Sequence, residues 1–116
     1  MDTWLDTGAV ARAGGRAVPL PCDVTDLDAV EVMADTAAAE LGGPVDLVVN
    51  NAGIGAGGRA IGDAPIAQWR RVIDINLWGV VHGCHVFAPR LRALGRGGVI
   101  NLASAAGFAA APGMAA

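Results

Sequence analysis

The sequence contains no tyrosine and no lysine, and all eight of its basic residues are arginines. A mechanism that needs a phenol as general acid, or a lysine amine, cannot be built from this chain alone. Charged residues make up only 16% of the chain, and the formal net charge is −3. This composition argues against nucleic acid or an anionic membrane surface as a partner.

Cysteine is scarce as well, with Cys22 and Cys84 falling on two different predicted elements. The opening residues, MDTWLDTG, are acidic and lack an apolar run, so no signal peptide is predicted. We therefore expect a cytoplasmic protein with two reduced thiols. Residues 97–116 carry no charge, but their polar residues, proline and glycines make them a poor membrane span.

The 116 residues are 53% hydrophobic, which is enough for one core-forming domain. The most informative stretch is VDLVVNNAG, from Val45 to Gly53. Its nearly continuous apolar run predicts a buried parallel strand over 45–50. Asn50 and Asn51 then follow at the carboxyl end of that strand, which is where open α/β sheets bind ligands. Gly53 lets a ligand or backbone come close because it has no Cβ.

Two further strands are predicted on either side of this one. Arg16–Val24 is predicted as an edge strand, because Pro19 and Pro21 remove donors on one side. Val99–Ala103 is predicted as the third strand.

Helices are predicted between these strands, with a weaker helical signal over residues 1–15. One begins at Thr25 with a capping-box-like TDLD and ends at Gly42, and another begins near Asp63 and kinks late at Pro89. The order strand, helix, strand, helix, strand predicts an α/β fold with a parallel sheet and right-handed crossovers.

Two tempting motifs have simpler interpretations. Gly53, Gly55 and Gly58 spell G-x-G-x-x-G after a strand, but Pro65 delays the helix that a dinucleotide fingerprint requires. A flexible loop beside a site is the better interpretation. The group HGCH, residues 82–85, offers two histidines and a cysteine, but no second pair completes a tetrahedral metal site. Packing or surface roles are favoured for these side chains.

Asn76 and Ser104 stay open on residue chemistry alone. Asn76 lies in an apolar helical stripe, so it is either a buried structural amide or a functional one. Ser104 lies just past a strand end, so it is either a hydroxyl donor to a substrate or a turn residue.

Taken together, the motifs are more specific. The segments CDVTD (22–26), VDLVVNNAG (45–53), NLWG (76–79), GGVINLASAAG (97–107) and PG (112–113) resemble the short-chain dehydrogenase/reductase family, in its order and spacing. The resemblance implies a doubly wound, Rossmann-type α/β fold that moves a hydride between NAD or NADP and an alcohol or ketone. It also implies that residues 1–116 form the central part of a single NAD(P)-binding domain.

The resemblance implies roles for particular residues. Asp23 and Val24 correspond to the pair that borders the adenine ring, and Asn51, Ala52 and Gly53 to the segment beside the cofactor. Asn76 corresponds to the catalytic asparagine, which kinks its helix and holds a water of the proton relay. Ser104 corresponds to the catalytic serine that hydrogen-bonds the substrate oxygen.

The chain departs from the family pattern at both ends. The phosphate-binding TGxxxGxG loop would lie before Met1, and the YxxxK motif would begin directly after Ala116. We therefore expect a fragment of a reductase, inactive alone, in which the strand over 45–50 has a bare apolar edge. The alternatives are a non-catalytic product that binds a partner or nucleotide, and a split enzyme completed by another chain. The helix over Asp63–Leu94 is a candidate surface for homo-oligomers.

Overall fold

The computed structural model describes residues 7–55, 57–109 and 112–113. Its regular elements alternate between helices and two short strands. In chain order they are α1 (Thr7–Arg12), α2 (Leu27–Leu41), β1 (Leu47–Asn50), α3 (Ile66–Ile73), a π-helical segment (Asp74–Trp78), α4 (Gly79–Leu94), β2 (Gly98–Asn101) and a 3₁₀ turn (Ala105–Gly107).

The two strands lie side by side and run parallel. Leu47 is opposite Gly98, and the register continues to Asn50 opposite Asn101. The chain between them crosses over through α3, the π segment and α4. This confirms the predicted parallel α/β arrangement, with both strands somewhat shorter than the sequence indicated.

The prediction of a strand over Arg16–Val24 was wrong. Within the described ranges, β1 and β2 are the only strands, and residues 16–24 have no place in the sheet. A strand is stabilised by backbone hydrogen bonds to a neighbouring strand. Pro19 and Pro21 lack two of the N–H donors that such pairing would need. The described residues therefore contain two strands rather than the three that were predicted.

The N-cap of helix α2 lies one residue later than predicted. Asp26, rather than Thr25, is the N-cap, and its Oδ1 accepts from the backbone N–H groups of Asp28 (3.0 Å) and Ala29 (3.3 Å). A short acidic side chain at this position satisfies donors that the first turn leaves unpaired. The predicted end is confirmed, because Gly42 adopts a left-handed conformation with φ 75°.

The second long helix starts at Ile66 rather than Asp63. Pro65 occupies its N-cap with φ −57° and ψ 142°, so the helix begins only after it. The chain then stays helical through Pro89 to Leu94. Its irregular turn lies earlier than the predicted late kink, in the π segment that contains Asn76.

The core lies between α2, α4 and one face of β1. Val48 points into it, whereas Leu47 and Val49 on the opposite face are 56% and 50% exposed. Ile100, which is opposite Val49 in the register, is exposed as well. Within the described ranges β1 pairs along one edge alone, and one apolar face of the sheet is uncovered. The core residues are Val30, Ala34, Val48, Val86, Phe87 and Leu91.

Membrane insertion was set aside on the sequence. None of the described helices combines the length and the hydropathy that a bilayer crossing requires.

Candidate functional site

The carboxyl ends of β1 and β2 lie at the same edge of the sheet. Asn50 and Asn101 are opposite each other, and Leu102 N–H donates to Asn50 O at 3.1 Å, which continues the ladder past β2. Gly53 and Ser104 each follow three residues after the last paired position. The parallel register therefore directs both predicted site segments to one edge, where open α/β sheets bind ligands.

Asn76 clamps the chain just beyond β1. Its Oδ1 accepts from Ile54 N–H and its Nδ2 donates to Ile54 O, each at 2.8 Å. The carboxamide thus pairs with a backbone amide as a neighbouring strand would. Asn76 is exposed rather than buried, so the interpretation as a buried structural amide was wrong.

The π segment is what places Asn76 there. Gly79 N–H donates to Asp74 O, which closes the wide turn of a π-helix around Asn76. Single π turns inside α-helices recur at functional sites, where they redirect a side chain. The expectation that this asparagine distorts its own helix is consistent with the observed geometry.

Gly53 lies directly before the clamped residue. A Cβ added at Gly53 would lie 3.5 Å from Asn76 Oδ1, which is an ordinary van der Waals contact. The described protein atoms therefore leave room for alanine at this position.

Ser104 caps the short 3₁₀ turn that follows β2. Its Oγ accepts from Ala106 N–H at 3.1 Å, and the side chain is exposed. A hydroxyl has one donor and two acceptor sites, so this bond leaves the O–H available to an acceptor. The structure shows the turn role and leaves room for the donor role.

Asp23 and Val24 lie in a turn that leads into α2. Asp23 Oδ1 accepts from Thr25 N–H (2.9 Å) and from the Thr25 hydroxyl (2.8 Å). These bonds lower the pKa of the Asp23 carboxyl, the backbone bond most, because both favour the ionised form; Arg71 lowers it further. The Val24 carbonyl accepts from His82 Nδ1 at 2.9 Å.

A polar cluster joins the two strands to α4. Asn50 Nδ2 donates to Asn101 Oδ1 at 2.8 Å, and Cys84 Sγ lies 3.7 Å from both of these atoms. Gly83 is required here, because an added Cβ would lie 2.1 Å from Asn50 Oδ1. This cluster fixes the end of β1 from which Asn51 and Gly53 extend.

Both cysteines are free thiols, and both are partly rather than fully buried. The pKa of the Cys22 thiol is raised from its ordinary 9.0, first by burial and then by the nearby carboxylates of Asp23 and Asp26. Cys22 therefore stays protonated and weakly nucleophilic near neutral pH.

The histidines and the cysteine of the HGCH group lie in different surroundings. His82 is bonded to Val24, Cys84 faces the two asparagines, and His85 is exposed. No group of three or more His, Cys, Asp or Glu side chains in the described residues is arranged to hold a metal ion.

Four of the predicted site residues line two separate cavities. Val24, Asn51 and Ala52 line one of about 320 Å³, together with apolar side chains of α2 and α4. Asp23 lines a second, more polar one of about 430 Å³ beside Thr25. Gly53, Asn76 and Ser104 line neither of them. Sequence reasoning did not predict the hydrogen bond between His82 and Val24, since the two residues are 58 positions apart along the chain.

The comparison with known families settles the relationship. The model of the short chain dehydrogenase family matches residues 7–116. The chain belongs to this family. The observed parallel α/β unit is accordingly part of a doubly wound, Rossmann-type fold.

Relatives with functional names are substantially similar to this chain. The probable oxidoreductase EphD of Mycobacterium bovis is 49% identical over 109 residues, which cover 92% of this chain and 18% of that protein. A cis-4-hydroxycyclohexanecarboxylate dehydrogenase of Sinomonas cyclohexanicum is 42% identical over 100 residues, or 85% of this chain and 39% of that protein. The latter is named for a small-molecule alcohol. The chain therefore spans well under half the length of these relatives.

Solved structures give the same picture. A short-chain dehydrogenase/reductase of Burkholderia phymatum, in complex with NAD, superposes with a TM-score of 0.81 at 36% identity, covering 94% of this chain and 41% of that one. Structural neighbours of this kind are bound to NAD or to NADP.

Proposed function

We propose that this chain is the central part of a single NAD(P)-binding domain, spanning residues 1–116, in a dehydrogenase. The whole protein would move a hydride between NAD or NADP and a small alcohol or ketone. The observation that carries this proposal is the clamp of Asn76 on Ile54, because it holds the loop after β1 at the sheet edge that β2 and Ser104 also reach.

The residues proposed to hold the cofactor fit a dinucleotide. Asp23 has an exposed, ionised carboxylate, and its hydrogen bonds to Thr25 engage Oδ1, so Oδ2 can accept from an adenine amino group. Val24 and Ala52 add apolar surface to one cavity, beside Asn51. Gly53 leaves open the space that a Cβ would fill. When bound, the nicotinamide ring supplies or accepts the hydride.

The proposed catalytic residues act on the substrate side. The Ser104 O–H donates to the substrate oxygen and so stabilises the negative charge that develops there. Asn76 keeps the loop at Ile54 in place through its two hydrogen bonds. The chain contains no tyrosine or lysine that could exchange the substrate proton, so that step needs a group from outside this chain.

The test uses the complete protein that the gene encodes. NADH is titrated while the fluorescence of Trp69 and Trp78 is followed, and turnover is measured with a panel of secondary alcohols. Ser104→Ala should lower kcat by about 100-fold, the usual loss for one donor to a developing oxyanion, with the Kd of NADH unchanged. Ser104→Thr keeps the hydroxyl and should recover much of the rate. Thr36→Ala, which removes a hydroxyl bonded within α2, is the matched control.

Gly53→Ala tests the cofactor side separately. Its added Cβ meets only an ordinary contact in the protein, so the free energy of unfolding should stay the same. A bound cofactor against Gly53 would be displaced, and the Kd of NADH should rise about tenfold, as overpacking of 1–3 kcal/mol implies. A Kd that stays unchanged would remove Gly53 from the site.

The absence of tyrosine and lysine favours one alternative, a nucleotide- or partner-binding remnant without catalysis. Saturable quenching by NADH without turnover would support it. A split enzyme predicts instead that turnover appears only when a second chain co-purifies.

We also propose that α3 and α4 form a self-association surface. Ile66, Ile73, Leu77 and Val81 are exposed apolar residues that recur at helical spacing along this stretch. Val81→Glu should therefore lower the mass seen in sedimentation if copies associate here. A cytoplasmic location stays a prediction.

A further inference from the structure

The segment that ends at Val24 pairs with no strand of the described residues. It is held instead by contacts with α4. His82 Nδ1 lies 2.9 Å from the Val24 carbonyl oxygen. A carbonyl oxygen can only accept, so Nδ1 must carry the proton and donate it. The half-buried imidazole therefore fixes the Val24 carbonyl relative to the helix.

Gly79, one turn earlier on α4, gives Val24 a second contact. A Cβ at Gly79 would lie 2.8 Å from Val24 Cγ2, so the valine sits directly against the helix backbone. Positions 79 and 82 share a helix face, which lets one surface contact both the side chain and the carbonyl of Val24. The Trp78 ring lies beside the imidazole at a centroid distance of 6.1 Å.

Hydrogen bonds tie Asp23 to the two residues that follow Val24. Asp23 Oδ1 is bonded to Thr25, and Asp26 N–H donates to Asp23 O at 3.1 Å. A displacement of the Val24 carbonyl would therefore carry the Asp23 carboxylate along.

We propose that His82 is a positioning residue for the adenosine half of the dinucleotide: by holding the Val24 carbonyl, it sets where Asp23 and Val24 meet the adenine ring. This inference rests on the proposed function. It predicts that His82 affects ligands that contain adenosine and leaves the nicotinamide half alone.

The experiment compares three variants of the protein at its encoded length. His82→Phe keeps a ring but removes the donor, and His82→Asn keeps an N–H at a similar distance. His85→Phe changes an exposed histidine of the same helix and is the control. The Kd is measured for NADH and for reduced nicotinamide mononucleotide, which lacks the adenosine.

The loss of one hydrogen bond sets the expected size. His82→Phe should weaken the binding of NADH by about 3- to 10-fold and leave the binding of reduced nicotinamide mononucleotide unchanged. His82→Asn should recover most of the affinity for NADH. His85→Phe should match the unmodified protein. An equal loss for both nucleotides, or no rescue by asparagine, would overturn the proposal.

A second readout needs no cofactor. Cys22 lies two residues before Val24 and is partly buried, so its alkylation rate reports how firmly the segment is held. His82→Phe should raise that rate about 3- to 10-fold, as the same hydrogen-bond energy implies, with the label assigned to Cys22 rather than Cys84 by peptide mass. An unchanged alkylation rate would refute the proposal that His82 fixes this segment. If the unmodified protein binds neither nucleotide, the proposed function fails while this readout still decides whether His82 holds Val24.

Discussion

Two segments are proposed to touch the cofactor, and the chain fixes them in different ways. Asn51–Gly53 extends from β1, a strand that is paired through its backbone with β2. Asp23–Val24 ends a segment without strand pairing and is held by Gly79 and His82 of α4. The two segments are thus set by a backbone ladder on one side and by the face of a helix on the other.

The two kinds of support differ in redundancy. The end of β1 has ladder hydrogen bonds, the Asn50–Asn101 side-chain bond and the Asn76 clamp on Ile54. On α4, Val24 is held by one imidazole hydrogen bond and by close packing against one glycine. Substitutions should therefore perturb the two segments separately.

Gly83→Ala should give the largest effect, on the strand side. The added Cβ would lie 2.1 Å from Asn50 Oδ1, and the Asn50 amide is bonded to Asn101, so it cannot turn away without losing that bond. Alanine in a helix interior gains about 1 kcal/mol of propensity over glycine. Overpacking costs about 1–3 kcal/mol and occasionally more, so we expect a net loss in the free energy of unfolding, measured by denaturant titration.

Gly43→Ala is the matched control for that measurement. No atom lies within 4 Å of its added Cβ and its φ is not positive, so the free energy of unfolding should stay level or rise slightly. Equal stability of Gly83→Ala and the unmodified chain would mean that the Asn50 cluster gives way easily. The rigidity that we assign to the strand side would then be lost.

Asn76→Ala should give an intermediate effect and sharpen the comparison at Ile54. It removes two hydrogen bonds of 2.8 Å, which are worth about 1–2 kcal/mol together. Asn76→Asp keeps the acceptor for Ile54 N–H but sets a second acceptor oxygen against the Ile54 carbonyl, so it should not restore the protection that asparagine gives. Hydrogen exchange at the Ile54 amide is the measurement, and unchanged protection would show that the ladder of β1 suffices to place this residue.

Local patterns predicted the elements whose signal is local. The apolar runs at Val45–Asn50 and Val99–Ala103 identified both strands, and Gly42 marked the end of α2. The Arg16–Val24 strand was wrong because strand formation depends on a neighbour that a local pattern does not reveal.

The candidate site shows the same limit. Asn76 and Ser104 came from a family resemblance, since nothing in their local sequence specifies a hydrogen-bond partner. Ile54 is 22 positions from Asn76, and Val24 is 58 from His82. Such partners follow from packing, and the distortion of the helix at Asn76 was expected from the family resemblance rather than from the local sequence.

Thr25→Val should give the smallest effect, confined to the turn at Asp23. The pKa of Asp23 lies below its ordinary 3.8, first because Thr25 N–H donates to it and second because the Thr25 hydroxyl does. Valine keeps the backbone donor and removes the hydroxyl. The pKa should therefore rise toward 3.8 without reaching it, as followed by a carbon-13 NMR titration of the carboxyl.

The pH dependence has a definite sign. Because the folded-state pKa is the lower one, the turn adds stability above the unfolded value near 3.8 and loses it as pH falls through the folded value. Thr25→Val should narrow that acidic window and remove part of the turn's stability above pH 3.8, neutral pH included, whereas Thr36→Val, in α2, should leave the Asp23 titration untouched. A pKa that reaches 3.8 would mean that the hydroxyl, not the backbone, holds the carboxylate. The turn on the helix-supported side would then depend on side chains alone, and its contrast with the strand-supported side would be sharper.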